Sequence, residues 1–191
     1  MSSDEVLMQE FQGGSRTAFE ELYSRYSGPL YGFLRRRLAN PQRAEDLAQE
    51  TFLVVIRGAT RYEPRALVRT YLYAIAMKLL FAERRKQLRE GPANEVAAEP
   101  PTAETPETGL WVRQAVARLD APEREILMLR EYEQLSYAEI AELLRVPVNT
   151  VRSRLFRARL ALKDHLRPKR PLERHSPGRS GAHDHATEGE A

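Results

Sequence analysis

The sequence predicts an all-α protein, two small helical domains joined by a flexible acidic linker, with the C-terminal domain a helix-turn-helix. Three observations carry this reading. Apolar residues recur at three- and four-residue spacing on both sides of the middle of the chain. Nowhere do they alternate with the period of a half-buried strand. Between the two periodic blocks, residues 91–109 hold four prolines, four glutamates, no Lys or Arg, and only Val96 as a sizeable apolar side chain. Such a stretch cannot bury enough surface to offset the entropy of ordering it. The expected boundaries are a domain at 1–90, the linker at 91–109, a domain at 110–166, and a disordered tail at 167–191 rich in Pro, Gly, His and charge.

The first domain opens with a stripe of Phe19, Leu22, Tyr23, Tyr26, Leu30, Phe33 and Leu34. Ser27-Gly28-Pro29 is expected to break or kink that helix, because an internal proline removes a hydrogen bond and clashes with the preceding turn. Asn40-Pro41 reads as an N-cap followed by proline in the first helical position. Leu47, Ala48, Phe52, Val55 and Ile56 then form a buried stripe that runs to Gly58. A third helix follows Glu63-Pro64, with Leu67, Tyr71, Leu72, Ile75, Leu79 and Leu80 inward, and finishes in Arg84-Arg85-Lys86. Beyond the linker, Leu110 to Leu119 is one helix. Asp120-Ala121-Pro122-Glu123 and Ser136-Tyr137-Ala138-Glu139 both read as capping boxes that open further helices. A short turn, Arg145-Val146-Pro147, leads to a last helix from Val148 to Leu166 with Val151, Leu155, Ala158 and Leu162 as its seam.

Composition excludes several classes of protein. The chain has 191 residues and no cysteine, which removes disulfide scaffolds, thiol catalysis and Cys-type zinc sites. No apolar run is long enough to span a bilayer, and the acidic N-terminus is not a secretory signal, so no membrane insertion is expected and a cytoplasmic place fits best. There is no Gly-rich nucleotide loop and no His constellation in either domain, so neither an enzyme nor a cofactor is expected. His183 and His185 lie in the tail, where a disordered His-bearing segment is a better reading than a metal site.

Charge is distributed by segment: residues 1–90 carry a net +4, the linker −4, and residues 110–166 a net +2. From Arg145 to Lys163 there are six basic residues and no acidic one. Two helices joined by a tight turn, the second of them basic, are the elements of a DNA-reading helix-turn-helix. With Val151 and Leu155 inward, Asn149, Arg152, Ser153, Phe156 and Arg157 face outward. There Arg can pair with guanine and Asn with adenine, each contact giving roughly 1–3 kcal/mol of discrimination. The third helix of the first domain interleaves Arg61, Arg65, Arg69, Lys78, Arg84, Arg85 and Lys86 with Tyr62, Tyr71 and Tyr73. Cations among aromatics suit single-stranded nucleic acid, although for this patch taken alone a helix core is the better reading. Glu45, Asp46, Gln49 and Glu50 cluster on the second helix, where a protein-docking face and favourable first-turn acids are both better readings than acid–base chemistry.

Two motifs together resemble one family. Ala44-Glu45-Asp46-Leu47-Ala48-Gln49-Glu50-Thr51-Phe52-Leu53 is similar to a signature of bacterial sigma factors. Leu135 to Leu144, Val146-Pro147, and Thr150-Val151-Arg152-Ser153-Arg154-Leu155 through Arg157-Ala158-Arg159 resemble that family's C-terminal promoter-binding domain. The order and spacing are those of the extracytoplasmic-function group. The resemblance implies a protein that binds core RNA polymerase through Asp46, Leu47, Gln49, Glu50 and Phe52. It implies melting and reading of the −10 element by the region of Arg61, Arg65, Arg69, Tyr71, Tyr73, Lys78, Arg84 and Arg85. It implies reading of the −35 element as duplex by Asn149, Thr150, Arg152, Ser153, Arg154, Phe156 and Arg157. Promoter DNA and an anti-sigma factor, often at the membrane, are the further partners it implies, with the protein itself at the nucleoid. Tyr71 stands where the family usually has Trp, Lys78 where Asn is common, Ala82 where Asp often sits, and Arg145 where the turn usually has Gly. An autonomous helix-turn-helix regulator and a sigma-like decoy that does not initiate are the competing readings. The segment 44–53 speaks against the first, while Tyr71 and Lys78 keep the second open.

Overall fold

The computed structural model describes residues 2–63, 67–90 and 106–166. All regular elements among them are helical: α1 (Asp4–Gln12), α2 (Arg16–Arg35), α3 (Pro41–Gly58), a 3₁₀ turn (Ala59–Arg61), α4 (Val68–Glu90), α5 (Pro106–Ala117), α6 (Ala121–Glu131), α7 (Tyr137–Leu144) and α8 (Val148–Leu166). The all-α expectation holds. The expected linker overlaps the start of α5, whose first residues are Pro106 to Gly109. The rest of that linker, and the tail beyond Leu166, lie outside the described residues.

Local chemistry explains where most helices begin. Ser3, Ser15 and Asn40 cap α1, α2 and α3 through their side-chain oxygens. Gly14, at φ +97°, supplies the left-handed turn between α1 and α2. Ser136 and Glu139 form both halves of a capping box at α7. The box expected at Asp120 does not form, since Asp120 makes no side-chain cap. The Glu123 carboxylate that would complete it is bonded instead to Arg157 on α8. The break expected at Pro29 is also absent, and α2 runs through it. Leu22 and Tyr26 before the proline, and Leu30, Phe33 and Leu34 after it, are all buried on one face. That continuous burial outweighs the roughly 3 kcal/mol an internal proline costs. α1, for which the sequence carried no expectation, packs on α2. It also braces the approach to α4: Gln12 Nε2 donates to the carbonyls of Ala59 (2.7 Å) and Tyr62 (2.9 Å), and Glu5 accepts from the N–H of Val68 (3.4 Å).

The first four helices enclose one core built around Met8, Leu30, Phe33, Leu34, Leu47, Leu72 and Leu80. The same buried cluster continues into the last four, where Ile126, Leu129, Leu135, Ile140 and Leu155 are fully buried. Three residues expected inside lie outside. Tyr23, Ile56 and Leu67 sit at the edges of their stripes and are exposed.

Beside that continuous core, the two halves also meet through buried charge. Glu133, whose side chain is 2% exposed, receives Arg36 Nη2 at 2.9 and 2.8 Å, Arg37 Nη1 at 3.3 Å and the Tyr73 hydroxyl at 3.5 Å. Arg37, equally buried, also donates to Glu125 at 2.9 and 3.1 Å and to the Phe33 carbonyl at 2.9 Å, with its guanidinium 3.9 Å from the centre of the Phe33 ring. Arg36 lies 4.9 Å from the Tyr132 ring centre, and Thr70 Oγ1 donates to Glu139 at 3.5 Å. A buried carboxylate costs several kcal/mol to desolvate, and two guanidinia with good geometry offset that cost. Removing one partner leaves uncompensated charge, at about 3–5 kcal/mol, unless water can reach it. Here water can reach it if the halves separate. Glu133→Ala is therefore expected to raise the radius of gyration in small-angle scattering with the helical circular-dichroism signal unchanged. An unaltered radius would mean that the charge network does not hold the halves together.

Candidate functional site

The helix-turn-helix is built by α7, its turn and α8. Arg145 ends α7 in the left-handed conformation (φ 53°, ψ 47°), its N–H bonded back to the carbonyls of Ala141 and Glu142. Val146 N–H closes on the Ala141 carbonyl at 3.0 Å, and the Pro147 carbonyl accepts from Thr150 (2.9 Å) and Val151 (3.2 Å) to start α8. Val151, Leu155 and Ala158 are buried. Their burial turns Asn149, Arg152, Ser153, Phe156 and Arg157 outward, and all five are exposed. Phe156 is 69% exposed, unusual for so large an apolar ring and suited to a thymine methyl group. Thr150 and Arg154 are half-buried at the margins of this face. Arg157 Nε is held by Glu123 at 2.7 Å, and Arg159 by Glu131 at 2.8 Å, which raises the Arg159 pKa further above its ordinary value.

The cationic helix of the first half is α4. Lys78, Arg84 and Arg85 are exposed along it, and Arg69 is half-buried near its start. Arg61 closes the 3₁₀ turn, while Arg65 lies outside the described residues. Tyr71 and Tyr73, which the resemblance places among the −10 contacts, do not line the surface. Tyr71 is half-buried with its ring centre 5.0 Å from that of Tyr62, and burial raises the pKa of both phenols. Tyr73 is buried between the halves, 5.3 Å and edge-on from Phe33, and its phenol is pushed up to about 12, chiefly by desolvation and then by Glu133. In this arrangement Tyr73 offers no face to a base. The reason is register: Tyr73 points to the side of α4 that the second half covers, which the pattern within α4 cannot show. Beside it lies a cleft of about 510 Å³, between Arg25, Arg36, Arg69, Tyr26 and Tyr132.

The acidic face of α3 divides in two. Glu45, Gln49 and Glu50 are exposed and Asp46 is half-exposed, within 3.6 Å of Arg43. Leu47 and Phe52 are core residues, 2% and 3% exposed, so they shape this face from beneath and do not present it. The Phe52 ring centre lies 4.7 Å from that of Tyr23, tilted, and 6.2 Å from that of Phe19, edge-on. Sequence reasoning missed Tyr23 and Tyr31, which with Ser27, Glu45, Ala48 and Gln49 flank a shallow groove of about 260 Å³ over Phe52. It also missed Leu53 and Ile56, exposed on the same helix. The available signal was an apolar stripe too wide for one core contact.

Comparisons with known proteins agree with this layout. Residues 22–90 match the family model described as Sigma-70 region 2, and residues 109–162 match that of Sigma-70, region 4. The chain is 32% identical over 182 residues to the RNA polymerase sigma-H factor of Pseudomonas aeruginosa, covering 86% of this chain and 94% of that one. It is 31% identical over 189 residues to the ECF RNA polymerase sigma-E factor of Haemophilus influenzae, covering 87% and 96%. Its fold superposes with a TM-score of 0.65 on the sigma factor RpoE of Bartonella quintana, solved with the anti-sigma factor NepR, at 23% identity over 80% of this chain and 98% of that one.

Two outcomes are expected from these surfaces. Arg145→Gly removes a left-handed non-glycine residue and should stabilise the chain by about 1 kcal/mol in urea denaturation. Arg152→Ala should weaken binding of a selected DNA duplex about tenfold at matched salt, as loss of a base contact of roughly 1–3 kcal/mol does. An unchanged affinity would remove Arg152 from the face.

Proposed function

The chain belongs to the sigma-70 family of RNA polymerase sigma factors, in its extracytoplasmic-function group, and from that premise we propose that it binds core RNA polymerase and directs it to chosen promoters. Residues 1–90 and 110–166 act as two domains in this reading. The exposed part of the α3 face, Asp46, Gln49 and Glu50 with the groove at Tyr23 and Tyr31, docks on polymerase. Leu47 and Phe52 hold that face in shape. The outer face of α8 reads the −35 element as duplex, Arg152 and Arg157 by hydrogen bonding and Phe156 by apolar contact. Lys78, Arg84 and Arg85 on α4 follow the backbone of the −10 strand, with Tyr71 the stacking ring nearest the surface. The protein contributes binding and positioning and performs no bond chemistry of its own.

One observation carries this reading: an acidic face on α3 and a cationic face on α8 are both solvent-facing in the same chain. A free-standing regulator needs only the second. The burial of Tyr73 and Thr70 between the halves supports a further step, separation of the two domains on polymerase, before α4 meets DNA. An anti-sigma factor that favours the closed arrangement would keep the protein silent. No helix among the described residues is long and apolar enough to cross a membrane, so placement at a membrane would come from such a partner.

The test is a pull-down with purified core polymerase, followed by transcription from a promoter library. Binding, with new start sites that share two spaced elements, is the expected result. Gln49→Ala and Asp46→Ala should each reduce polymerase capture about tenfold, as loss of an interface contact of about 1.4 kcal/mol does, with unchanged helical content. Retention of duplex DNA without polymerase capture would favour an autonomous regulator. Polymerase capture without new transcripts would favour a decoy.

A further inference from the structure

Glu123 lies in the first turn of α6 and faces α8. A glutamate three residues after an N-cap ordinarily reaches back to the cap backbone. Here its Oε1 accepts from Nε of Arg157 at 2.7 Å, and the cap is left without a side chain. The two partners differ in exposure. The Glu123 side chain is 14% exposed and that of Arg157 is 57% exposed. One end of the guanidinium is thus fastened to the body of the domain. The other shares the exposed outer face of α8 with Asn149, Arg152, Ser153 and Phe156.

A guanidinium carries five N–H donors in a rigid planar fork. The bond at Nε occupies one edge of the fork and leaves the Nη1–Nη2 edge, with its two parallel N–H groups, for another partner. Bidentate recognition of guanine uses two such donors on O6 and N7. An unrestrained arginine must lose rotamer freedom to present them, and a side chain already anchored at Nε loses less. A carboxylate close to DNA also repels phosphate, so this arrangement favours fit to a base over general attraction to the backbone. The tie between Arg159 and Glu131 joins the same two helices but is about half exposed on both sides, and it supplies an internal comparison.

We propose that Glu123 is a positioning residue for base readout by Arg157, a proposal that rests on the reading of α8 as the promoter-duplex helix. Glu123 touches no base itself. It orients the guanidinium and holds its outer fork ready, so that it sharpens sequence discrimination at the expense of non-specific affinity.

The experiment uses the full chain. A duplex is first selected by the wild type from a randomised library. Binding of that duplex and of random-sequence duplex is then measured at one salt concentration. The chains compared are wild type, Glu123→Ala, Glu123→Gln, Glu131→Ala, Arg157→Ala and the Glu123→Ala/Arg157→Ala double variant. Glu123→Ala should lower the ratio of selected to random affinity by about tenfold, with random-sequence binding equal or stronger. Glu123→Gln keeps an acceptor oxygen and should recover part of the ratio. In the Arg157→Ala background, Glu123→Ala should change the ratio by about twofold or less. A Glu123→Ala ratio equal to wild type, with the ratio lost in Arg157→Ala, overturns the positioning role alone. So does an equal loss in Glu131→Ala, a Glu123→Ala effect that persists without Arg157, or a parallel loss of selected and random binding. If Arg157→Ala keeps the full ratio, or the wild type selects no sequence, the reading of α8 fails and this proposal fails with it.

Discussion

The buried carboxylate of Glu133 is the constraint on which the relative placement of the two halves depends. It sits 2% exposed between Arg36 and Arg37 of one half and the core of the other, with the Tyr73 hydroxyl at its edge. None of these groups tolerates burial alone. Arg37 is saturated by two carboxylates, the Phe33 carbonyl and the Phe33 ring. Because the bonds are directional and three donors converge on one carboxylate, this network favours one docking geometry. That geometry puts the first turns of α4 against α7 and takes Tyr73 and Thr70 out of solvent. An apolar patch of equal area would hold the halves together with less angular preference, and would also leave greasy surface exposed on separation. Arginine and glutamate leave surfaces that water solvates readily on both sides. The same residues therefore suit a closed state of defined geometry and an open state that stays soluble.

Arginine performs several distinct tasks in this chain, and its surroundings assign them. Arg37 is a structural cation. Arg43 ties α3 to α4 through Glu83 at 2.7 Å, and that contact lowers the pKa of the Glu83 carboxyl. Arg25 joins Asp4, Glu21 and the Ser2 carbonyl, with Asp4 also hydrogen-bonded to Tyr26, and so fastens α1 to α2. Arg152, Arg84 and Arg85 remain in solvent. A net positive charge read from composition says nothing of this division. The cations that solvent sees are a subset set by which carboxylates the fold brings near.

The parts of this architecture legible in the sequence are the local ones. Asn40-Pro41 and Ser136 to Glu139 announce helix starts because the groups that satisfy each other lie within one turn. The outward face of α8 follows from periodicity once Val151 and Leu155 are placed inward. What stayed illegible depends on partners distant in sequence. Pro29 is tolerated because the residues around it bury against other helices. Glu123 is drawn from its own cap by an arginine on α8. Leu47 and Phe52 belong to a motif read as a binding surface, yet both lie beneath it, while Glu45, Gln49 and Glu50 reach solvent. Tyr73 looks like any other ring on a cationic helix until the second half is laid over it. Arg36 and Glu133 are 97 residues apart, and no pattern within either segment marks them as a pair.

That separation also orders the protein in time. The contacts among α1, α2, α3 and α4 all lie within the first 90 residues, whereas the bond from Arg37 to Glu133 spans 96. A chain leaving the ribosome completes its N-terminal unit first, and a pairing of long sequence separation closes last. The carboxylates of α3 are therefore in place and open to solvent while α6 is still being translated, with Arg36 and Arg37 hydrated beside them. For that interval the nascent protein is a finished N-terminal helical unit with no helix-turn-helix attached and nothing covering α4.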